Sequence, residues 1–374
     1  MGIKAVVLTG PGHLELREFP EPKLEPGTML VRMVAAGICG TDRHAFDGHM
    51  PTLAVPVIPG HENLGVIEEI AGEFKDADSR PLSVGDRIVF APRFSTCGEC
   101  YYCKWLPSNY GIAFCIHPRS YGFVNCEIPP FLYGGWAEKI VLQQGTWCYR
   151  VPEQLTNEEA VLADVLASVC GVERAVFHCS WINMGLGLGQ TAVIQGAGGV
   201  GLLAAVKAQL LGATRTIMVG GPAHRLRLAR EFGVDETIDI AEIPTAADRV
   251  AAVKNLTNGI GADLVVECAG VPDAVPEGLD MLRKGGVFVE IGNFTNTGTT
   301  VISPWAHLCA KDVTIIGQYA YTAHQYRKDF AVLVKHRDRF PFHKIVTHRF
   351  ALSEFDQAMQ TVRREDCLKA IFAP

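Results

Sequence analysis

The chain has 374 residues, of which 48% are apolar and 20% are charged, an ordinary composition for a globular enzyme of about two domains. Its net charge of −6 and the absence of a long basic run argue against nucleic acid as a partner. No stretch approaches the length of about eighteen apolar residues that a membrane span needs, so we expect a cytoplasmic protein with no membrane partner.

The first 150 residues show short apolar runs that are interrupted by Gly and Pro. The predicted strands are residues 5–8, 29–34, 66–70, 87–90 and 137–142. Many short strands at this spacing are typical of a β-rich domain, here partly barrel-like. This part of the chain also contains most of the candidate metal-binding and proton-transfer residues.

Side chains of types that can bind a metal ion or a proton follow the second predicted strand. Cys39, Thr41 and His44 stand close together in sequence, and His61 and Glu62 follow about twenty residues later. A catalytic zinc takes three protein ligands and keeps one position open, and thiolate and imidazole suit it. Cys39 and His61 could supply two ligands. Taken singly, Cys39 could equally be a buried thiol and His61 a hydrogen-bonded histidine in a turn.

A cysteine cluster follows the fourth predicted strand: Cys97, Cys100 and Cys103 at C-x-x-C-x-x-C spacing, and Cys115 beyond them. In a reducing compartment such a cluster binds metal rather than forming disulfides. Four thiolates complete a tetrahedral zinc site with no open position, which predicts a structural zinc. An iron–sulfur cluster and a metal-free loop are the alternatives, and His117 is a reserve ligand if Cys115 points away.

One carboxylate interrupts the next helical pattern. Residues 160–167 are apolar except for Asp164. It could be a helix-terminal charge or a core polar residue with a partner. It also stands between the β-rich region and the following glycine turn, where a third ligand would enter the catalytic site.

The stretch TAVIQGAGGVG, residues 191–201, predicts a strand, a glycine turn and a helix. Gly196 allows a tight turn, Gly198 allows a pyrophosphate to approach the backbone, and Gly201 allows the helix to pack on the strand. The helix start offers free N–H groups to phosphates. The residues predicted to bind a dinucleotide here are Gly196, Gly198, Gly199, Val200 and Gly201.

Strands and helices continue to alternate after this turn. Predicted strands at 215–221, 262–268 and 287–291, with a helix at 226–232, indicate parallel β-α-β units. The fold class is therefore α/β, with a doubly wound Rossmann sheet. Further strands or helices are predicted at 312–319, 326–334, 345–350, 353–362 and 369–372.

The coenzyme is NAD or NADP. Gly220 and Gly221 stand where an NAD enzyme commonly has an acidic residue for the ribose hydroxyls. The missing acid removes a repulsion against a 2′-phosphate, and Arg225 is close enough in sequence to contact one. Arg225 could instead cover the adenine, so these residues leave both coenzymes open.

Together these motifs resemble the zinc-dependent medium-chain alcohol dehydrogenases, of the polyol and threonine dehydrogenase type. The resemblance rests on GICGTDRH at 37–44, GHE at 60–62, the cysteine cluster, Asp164 and GAGGVG at 196–201, and it covers essentially the whole chain. It implies a GroES-like catalytic domain of residues 1–165 and 311–374, and a Rossmann domain of residues 166–310. It also implies a homodimer or homotetramer and a small alcohol or carbonyl substrate, and it slightly favours NAD over NADP.

The resemblance further implies the roles of individual residues. Cys39, His61 and Asp164 hold a catalytic zinc, and Glu62 is an alternate ligand or contacts the ligands without binding the zinc itself. Thr41 contacts the substrate hydroxyl and His44 ends a proton relay to solvent. The cluster of Cys97, Cys100, Cys103 and Cys115 holds a second zinc, which makes two per chain.

Two departures from the family pattern concern these assignments. The interval from Cys103 to Cys115 is longer than is usual, which bears on Cys115 as a ligand. Asp164 stands where primary-alcohol enzymes commonly have Cys, which favours a secondary alcohol or a polyol as substrate. A zinc-free reductase of the same fold would lack Cys39 and His61, and a binding protein without turnover would have lost a ligand or the glycine turn.

Overall fold

A computed structural model of the chain describes residues 2–106, 114–177 and 185–374. These residues form two compact units. Unit 1 consists of Met1–Asp164, Thr322–Arg337 and Phe342–Pro374, and unit 2 consists of Val165–Tyr321 and Asp338–Pro341. Among the described residues, no helix combines the length and the apolar character needed to cross a membrane.

The strands of the described ranges, in chain order, are β1 Ile3–Gly10, β2 His13–Phe19, β3 Thr28–Ile38, β4 Asn63–Ala71, β5 Arg87–Phe90, β6 Arg93–Ser95, β7 Arg119–Ser120, β8 Lys139–Gln143, β9 Cys148–Arg150, β10 Gln190–Gln195, β11 Ala213–Gly220, β12 Glu236–Asp239, β13 Ala262–Glu267, β14 Leu282–Glu290, β15 Thr314–Gly317, β16 Val346–Phe350 and β17 Lys369–Phe372.

The α-helices of the same ranges are α1 Gly40–Phe46, α2 Tyr101–Trp105, α3 Asn157–Ala167, α4 Gly171–Phe177, α5 Gly199–Leu210, α6 Ala223–Glu231, α7 Ala246–Leu256, α8 Ala274–Met281, α9 Gln325–His336 and α10 Phe355–Thr361. Short π or 3₁₀ helices are Pro304–Cys309, Phe342–Lys344 and Leu352–Glu354.

Unit 1 is built on a mostly antiparallel sheet of seven strands in the order β16-β17-β3-β4-β5-β9, with β8 also paired to β3. The predicted β-rich character of this region is confirmed, but β2 was missed. The sequence of β2, HLELREF, is polar and its side chains are mostly exposed, so it lacks the apolar run that marks the other strands.

The core of unit 1 centres on large aromatic side chains. Trp136, Tyr121 and Phe90 are fully buried. The Trp136 indole donates a hydrogen bond to the Gly37 carbonyl at 3.3 Å. This bond ties the core to the end of β3, where the candidate metal ligands begin.

Unit 2 contains a six-stranded sheet in the order β12-β11-β10-β13-β14-β15, with every neighbouring pair parallel. This is the doubly wound arrangement with the order 3-2-1-4-5-6, so the predicted Rossmann class is confirmed. Its buried core contains Val193, Ile217 and Phe288. Such a sheet binds ligands at the carboxyl ends of its strands.

The structure differs from the predicted division at residue 310. Strand β15 pairs with β14 and completes the parallel sheet, and unit 2 continues to Tyr321. The prediction had placed residues 311–374 in the other domain. The sequence identifies residues 312–319 as a strand, but the sheet that a strand joins depends on hydrogen bonds to a distant segment.

Candidate metal centre and coenzyme site

The end of β3 and the start of α1 place Cys39 beside His61. Cys39 is the N-cap of α1, and its backbone N–H donates to Asp42 Oδ2 at 2.9 Å. Its sulfur lies 3.4 Å from His61 Nε2. The ligand atoms of Cys39, Asp42 and His61 all lie within 4.8 Å of one another. The structure therefore brings together two predicted ligands that are 22 residues apart.

Two glycines allow this close approach. A Cβ on Gly37 would overlap the Glu62 carboxylate, and a Cβ on Gly60 would overlap the Trp136 indole. Gly60 also has φ of +91°, a conformation that glycine adopts most readily. The motif residues Gly37 and Gly60 thus bring the backbone of the His61 turn against the end of β3.

Asp42 was not singled out as a functional residue. It is 5% exposed, and its Oδ1 lies 3.8 Å from His61 Nδ1. The two atoms are beyond hydrogen-bond distance, but a nearby carboxylate stabilises a positive charge on the imidazole ring. Burial opposes a charge on His61, but Cys39 and Asp42 raise the pKa of His61 well above its usual value. The position of Asp42 inside the GICGTDRH motif was the sequence feature that could have identified it as part of the site.

Asp164 lies near this group but is not within 4.8 Å of all three ligand atoms. It is 3% exposed on α3, and its charge contributes to raising the pKa of both His61 and Glu62. The Tyr326 hydroxyl on α9 donates a hydrogen bond to Asp164 Oδ2. Nothing in the sequence indicated this pair, since the two residues are separated by 162 positions.

Glu62 forms a buried ion pair with Lys369 on β17. The Lys369 side chain is 8% exposed and that of Glu62 is 5% exposed. Burial lowers the pKa of Lys369, but Glu62 and Cys39 raise it, and the net pKa is raised. The ammonium group therefore stays charged beside the candidate metal ligands. Lys369, at the far end of the chain, was not predicted as part of this site.

Thr41 and His44 both lie on α1. Thr41 is partly exposed, whereas His44 is only 8% exposed. His44 Nδ1 lies 3.0 Å from His49 Nδ1, and His49 was not predicted as functional. The short helix thus carries, in order, the residues expected to handle the substrate proton.

The cysteine cluster brings all four thiols together. The ligand atoms of Cys97, Cys100, Cys103 and Cys115 lie within 4.8 Å of one another. The sulfurs of Cys100 and Cys103 are 3.4 Å apart, those of Cys97 and Cys115 are 3.6 Å apart, and those of Cys97 and Cys103 are 3.9 Å apart. A tetrahedral zinc with Zn–S bonds of about 2.3 Å needs sulfurs about 3.8 Å apart, so the donor set fits zinc.

Backbone amides donate hydrogen bonds to sulfur atoms of this cluster. The Cys97 N–H donates to Cys115 Sγ at 3.3 Å, and the Cys100 N–H donates to Cys97 Sγ at 3.4 Å. A backbone hydrogen bond from Ile116 lowers the pKa of Cys100 to about 6, whereas burial and the neighbouring thiols raise that of Cys103 to about 11. The reserve ligand His117 is exposed and lies outside the four-residue group.

The glycine turn between β10 and α5 has the geometry of a phosphate-binding turn. Gly196 has φ of +103°, and a Cβ on it would lie 2.9 Å from Ala269 N. A Cβ on Gly201 would overlap the Gly196 carbonyl. Gly198 is the N-cap of α5 and has open space on its Cβ side. The first N–H groups of the helix, at Gly199 and Val200, have no intrahelical partner and can bind an anion.

The carboxyl end of β11 packs closely against the same glycine turn. A Cβ on Gly220 would lie 2.9 Å from Ala197 N. Arg225 follows on α6, partly exposed. Asp239 at the end of β12 pairs in register with Gly220, so one carboxylate stands at this edge although β11 itself ends in glycine. Asp239 was not predicted.

Comparisons with known proteins identify the family to which each part of the chain is similar. Residues 25–153 match the family described as "Alcohol dehydrogenase GroES-like domain", and residues 199–335 match "Zinc-binding dehydrogenase". The first range includes Cys39, His61 and the cysteine cluster. The second begins within the glycine turn and includes Arg225.

Similar proteins include two curated dehydrogenases. The chain is 31% identical over 369 residues to 5-exo-hydroxycamphor dehydrogenase of Pseudomonas putida, which covers 98% of each protein. It is 32% identical over 373 residues to erythritol/L-threitol dehydrogenase of Mycolicibacterium smegmatis, which covers 96% of this chain and 94% of that protein. The crystal structure of an alcohol dehydrogenase from Thermotoga maritima aligns with a TM-score of 0.90 at 30% identity, over 100% of both chains.

Proposed function

Because this chain belongs to the zinc-binding alcohol dehydrogenases, we propose that it oxidises a secondary alcohol or a polyol at a centre formed by Cys39, His61 and Asp164. The chain is an oxidoreductase that transfers hydride between an alcohol and NAD(P)⁺. The observation that carries the site assignment is the 3.4 Å approach of the Cys39 sulfur to His61 Nε2, in the region that matches the GroES-like domain. The relatives acting on a hydroxycamphor and on tetritols support the substrate class.

Different parts of the fold position the three proposed zinc ligands. Cys39 is placed by the N-terminus of α1, and the Asp42 carboxylate lies 3.8 Å from the second ring nitrogen of His61. Asp164 completes the set, with one oxygen held by Tyr326. Zinc bound by these residues supplies a Lewis acid that lowers the pKa of the alcohol hydroxyl.

Thr41 and His44 remove the proton that the alcohol loses. In this proposal the Thr41 hydroxyl contacts the substrate hydroxyl and passes its proton towards His44. Imidazole can take up and release a proton near neutral pH, which suits His44 to this step. Glu62, paired with Lys369, lies beside the ligands as an alternate ligand or as a charge that adjusts them.

A second zinc in the cysteine cluster is proposed as structural, giving two zinc ions per chain. Four mutually close thiols leave no open position for a substrate. The cluster also supports a cytoplasmic location, because free thiols persist in a reducing compartment.

For the coenzyme we propose NAD(P), with NAD favoured. The turn from Gly196 to Gly201 would hold the pyrophosphate, and Gly220 and Arg225 would lie at the adenosine end. Asp239 adds a carboxylate at that edge, which favours a ribose with free hydroxyls over a 2′-phosphate.

A homodimer or homotetramer is proposed on the basis of unit 2. Strand β15 is an edge strand of the parallel sheet, and an open edge can pair with a second copy. Val301, Trp305 and Tyr319 of the same unit are large apolar residues that are at least 72% exposed. Light scattering of the purified protein measures the number of chains directly.

The test of function is the rate of nicotinamide reduction, followed by absorbance in the near ultraviolet. NAD⁺ and NADP⁺ are each offered with primary alcohols, secondary alcohols, polyols and hydroxy amino acids, and zinc is counted in the same preparation. The proposal expects chelator-sensitive turnover of secondary alcohols or polyols and two zinc ions per chain. Turnover that survives removal of all zinc would contradict it.

A further inference from the structure

The two histidines at the end of α1 are joined through their ring nitrogens. His44 Nδ1 and His49 Nδ1 are 3.0 Å apart, and the ring planes are inclined by 44°. At this distance one imidazole donates its N–H and the other accepts. The contact links the proposed proton-relay residue to a histidine that has no assigned role.

The backbone at the end of α1 creates this contact. The Gly48 N–H donates to the Ala45 carbonyl at 3.2 Å, and the His49 N–H donates to the His44 carbonyl at 2.9 Å. Gly48 has φ of +79°, as the left-handed residue that follows a helix end. This is a Schellman ending, which brings the residue after the glycine back against the third residue from the helix end. His49 is therefore placed on His44 by the local fold.

The two rings differ in their access to water. His44 is 8% exposed, whereas His49 is among the exposed residues. A proton that reaches His44 consequently needs a carrier to solvent. His49 is in hydrogen-bond contact with His44 and meets the solvent, so it can be that carrier.

Charged groups around the pair oppose retention of a proton on His44. Burial, Arg43 and His49 lower the pKa of His44, and Asp47 acts in the opposite direction. Asp47 is itself ion-paired with Arg363 from the C-terminal segment, which also lies over the Phe46 ring. A histidine that is neutral near pH 7 passes a proton on rather than storing it.

We propose that His49 carries the proton from His44 to solvent during alcohol oxidation. This inference rests on the proposed role of His44. His44 accepts a proton at Nε2 while its Nδ1–H bond breaks, and an N–H bond forms at His49 Nδ1. His49 then releases its Nε2 proton to water. Neither ring gains a net charge, and no electrons move.

The experiment replaces His49 by Asn, which keeps a polar group able to bond His44 but cannot relay a proton. We expect His49→Asn to lower kcat for alcohol oxidation about tenfold, with an unchanged melting temperature. Added imidazole should restore most of the lost kcat, because a soluble base can collect the proton at the exposed position. The matched control is His13→Asn, which changes an exposed histidine on β2 and should leave kcat and its response to imidazole as in the parent protein.

The variant His44→Asn separates the two hypotheses. If it lowers kcat while His49→Asn behaves like His13→Asn, or if imidazole fails to restore His49→Asn, the exit through His49 is disproved and the role of His44 stands. If His44→Asn itself has the parent kcat, the relay in the proposed function is wrong, and the exit through His49 falls with it.

Discussion

The two groups of candidate zinc ligands differ in how the chain brings them together. The thiols of the cysteine cluster come from one segment, residues 97–115, and all four lie within 4.8 Å of one another. Cys39 comes from the junction of β3 and α1, His61 from the turn before β4, and Asp164 from α3. Asp164 is not within 4.8 Å of all the ligand atoms in its group. A closed local set is suited to holding structure, and a dispersed set leaves room for a substrate.

The surroundings of the two groups of candidate zinc ligands differ as well. The cluster is supported by its own backbone amides, at Cys97 and Cys100. The Cys39–His61 group is supported by Asp42, by Tyr326 through Asp164, and by Lys369 through Glu62. The first site therefore depends on a loop, and the second depends on the complete fold of unit 1. Substitutions in the two regions should separate activity from stability.

The largest effect is expected for Cys39→Ala. Losing this ligand should remove the catalytic zinc and lower kcat/KM by roughly 10³-fold or more, since Lewis-acid catalysis contributes several kcal/mol. Zinc content should fall from two to one per chain, with the melting temperature nearly unchanged. Cys126→Ala, which removes a buried thiol of unit 1 outside both groups, is the control and should keep its zinc. Near-parental turnover by a zinc-depleted Cys39→Ala protein would refute the ligand assignment.

Lys369→Met should chiefly affect stability, although it lies beside the catalytic group. Removing the ammonium leaves the buried Glu62 carboxylate without its ion-pair partner, which costs about 3–5 kcal/mol in the free energy of unfolding. Lys139→Met provides the contrast, because Lys139 is more exposed, with 24% side-chain exposure, and its pairs with Glu21 and Glu68 should be worth less than about 1 kcal/mol. Equal losses in the two variants, measured by denaturant unfolding, would mean that burial of the Glu62 pair is unimportant.

Cys100→Ala should release the closed cluster and leave the catalytic residues in place. We expect a loss of about 3 kcal/mol in stability, with one zinc lost and kcat of the folded enzyme nearly unchanged at low temperature. Cys309→Ala, at an exposed cysteine, should neither lower the stability nor release a zinc ion. Unchanged melting together with lost turnover would show that the cluster serves catalysis instead.

The smallest effect is expected for Tyr326→Phe. The variant removes the hydroxyl that holds Asp164 Oδ2, and loss of such a support typically weakens metal binding about tenfold or more. Competition with a chelator measures the affinity of the catalytic zinc directly. Tyr149→Phe removes a neighbouring hydroxyl that donates to the Ala323 carbonyl and should leave zinc affinity unchanged. The same affinity in both variants would show that Tyr326 does not support the ligand.

Much of the fold could be predicted because its signals are local. Strand β5 was predicted with its observed limits, and the glycine turn was placed between a strand and a helix, where the structure has β10 and α5. Strand β2 escaped prediction because its exposed side chains carry no apolar pattern. Residues 312–319 were identified as a strand, but the partner of β15 could not be predicted, because pairing with β14 leaves no mark in its own residues.

The sequence by itself determined the residue types and the local chemistry of this protein. The spacing of the four cysteines and the order of the glycines each act within one short segment, so chain connectivity alone brings their groups together. Only the tertiary structure decided which distant residues meet: Asp42 with the far nitrogen of His61, Tyr326 with Asp164, and Lys369 with Glu62. Each of these contacts depends on packing between segments, and packing is a property of the whole fold.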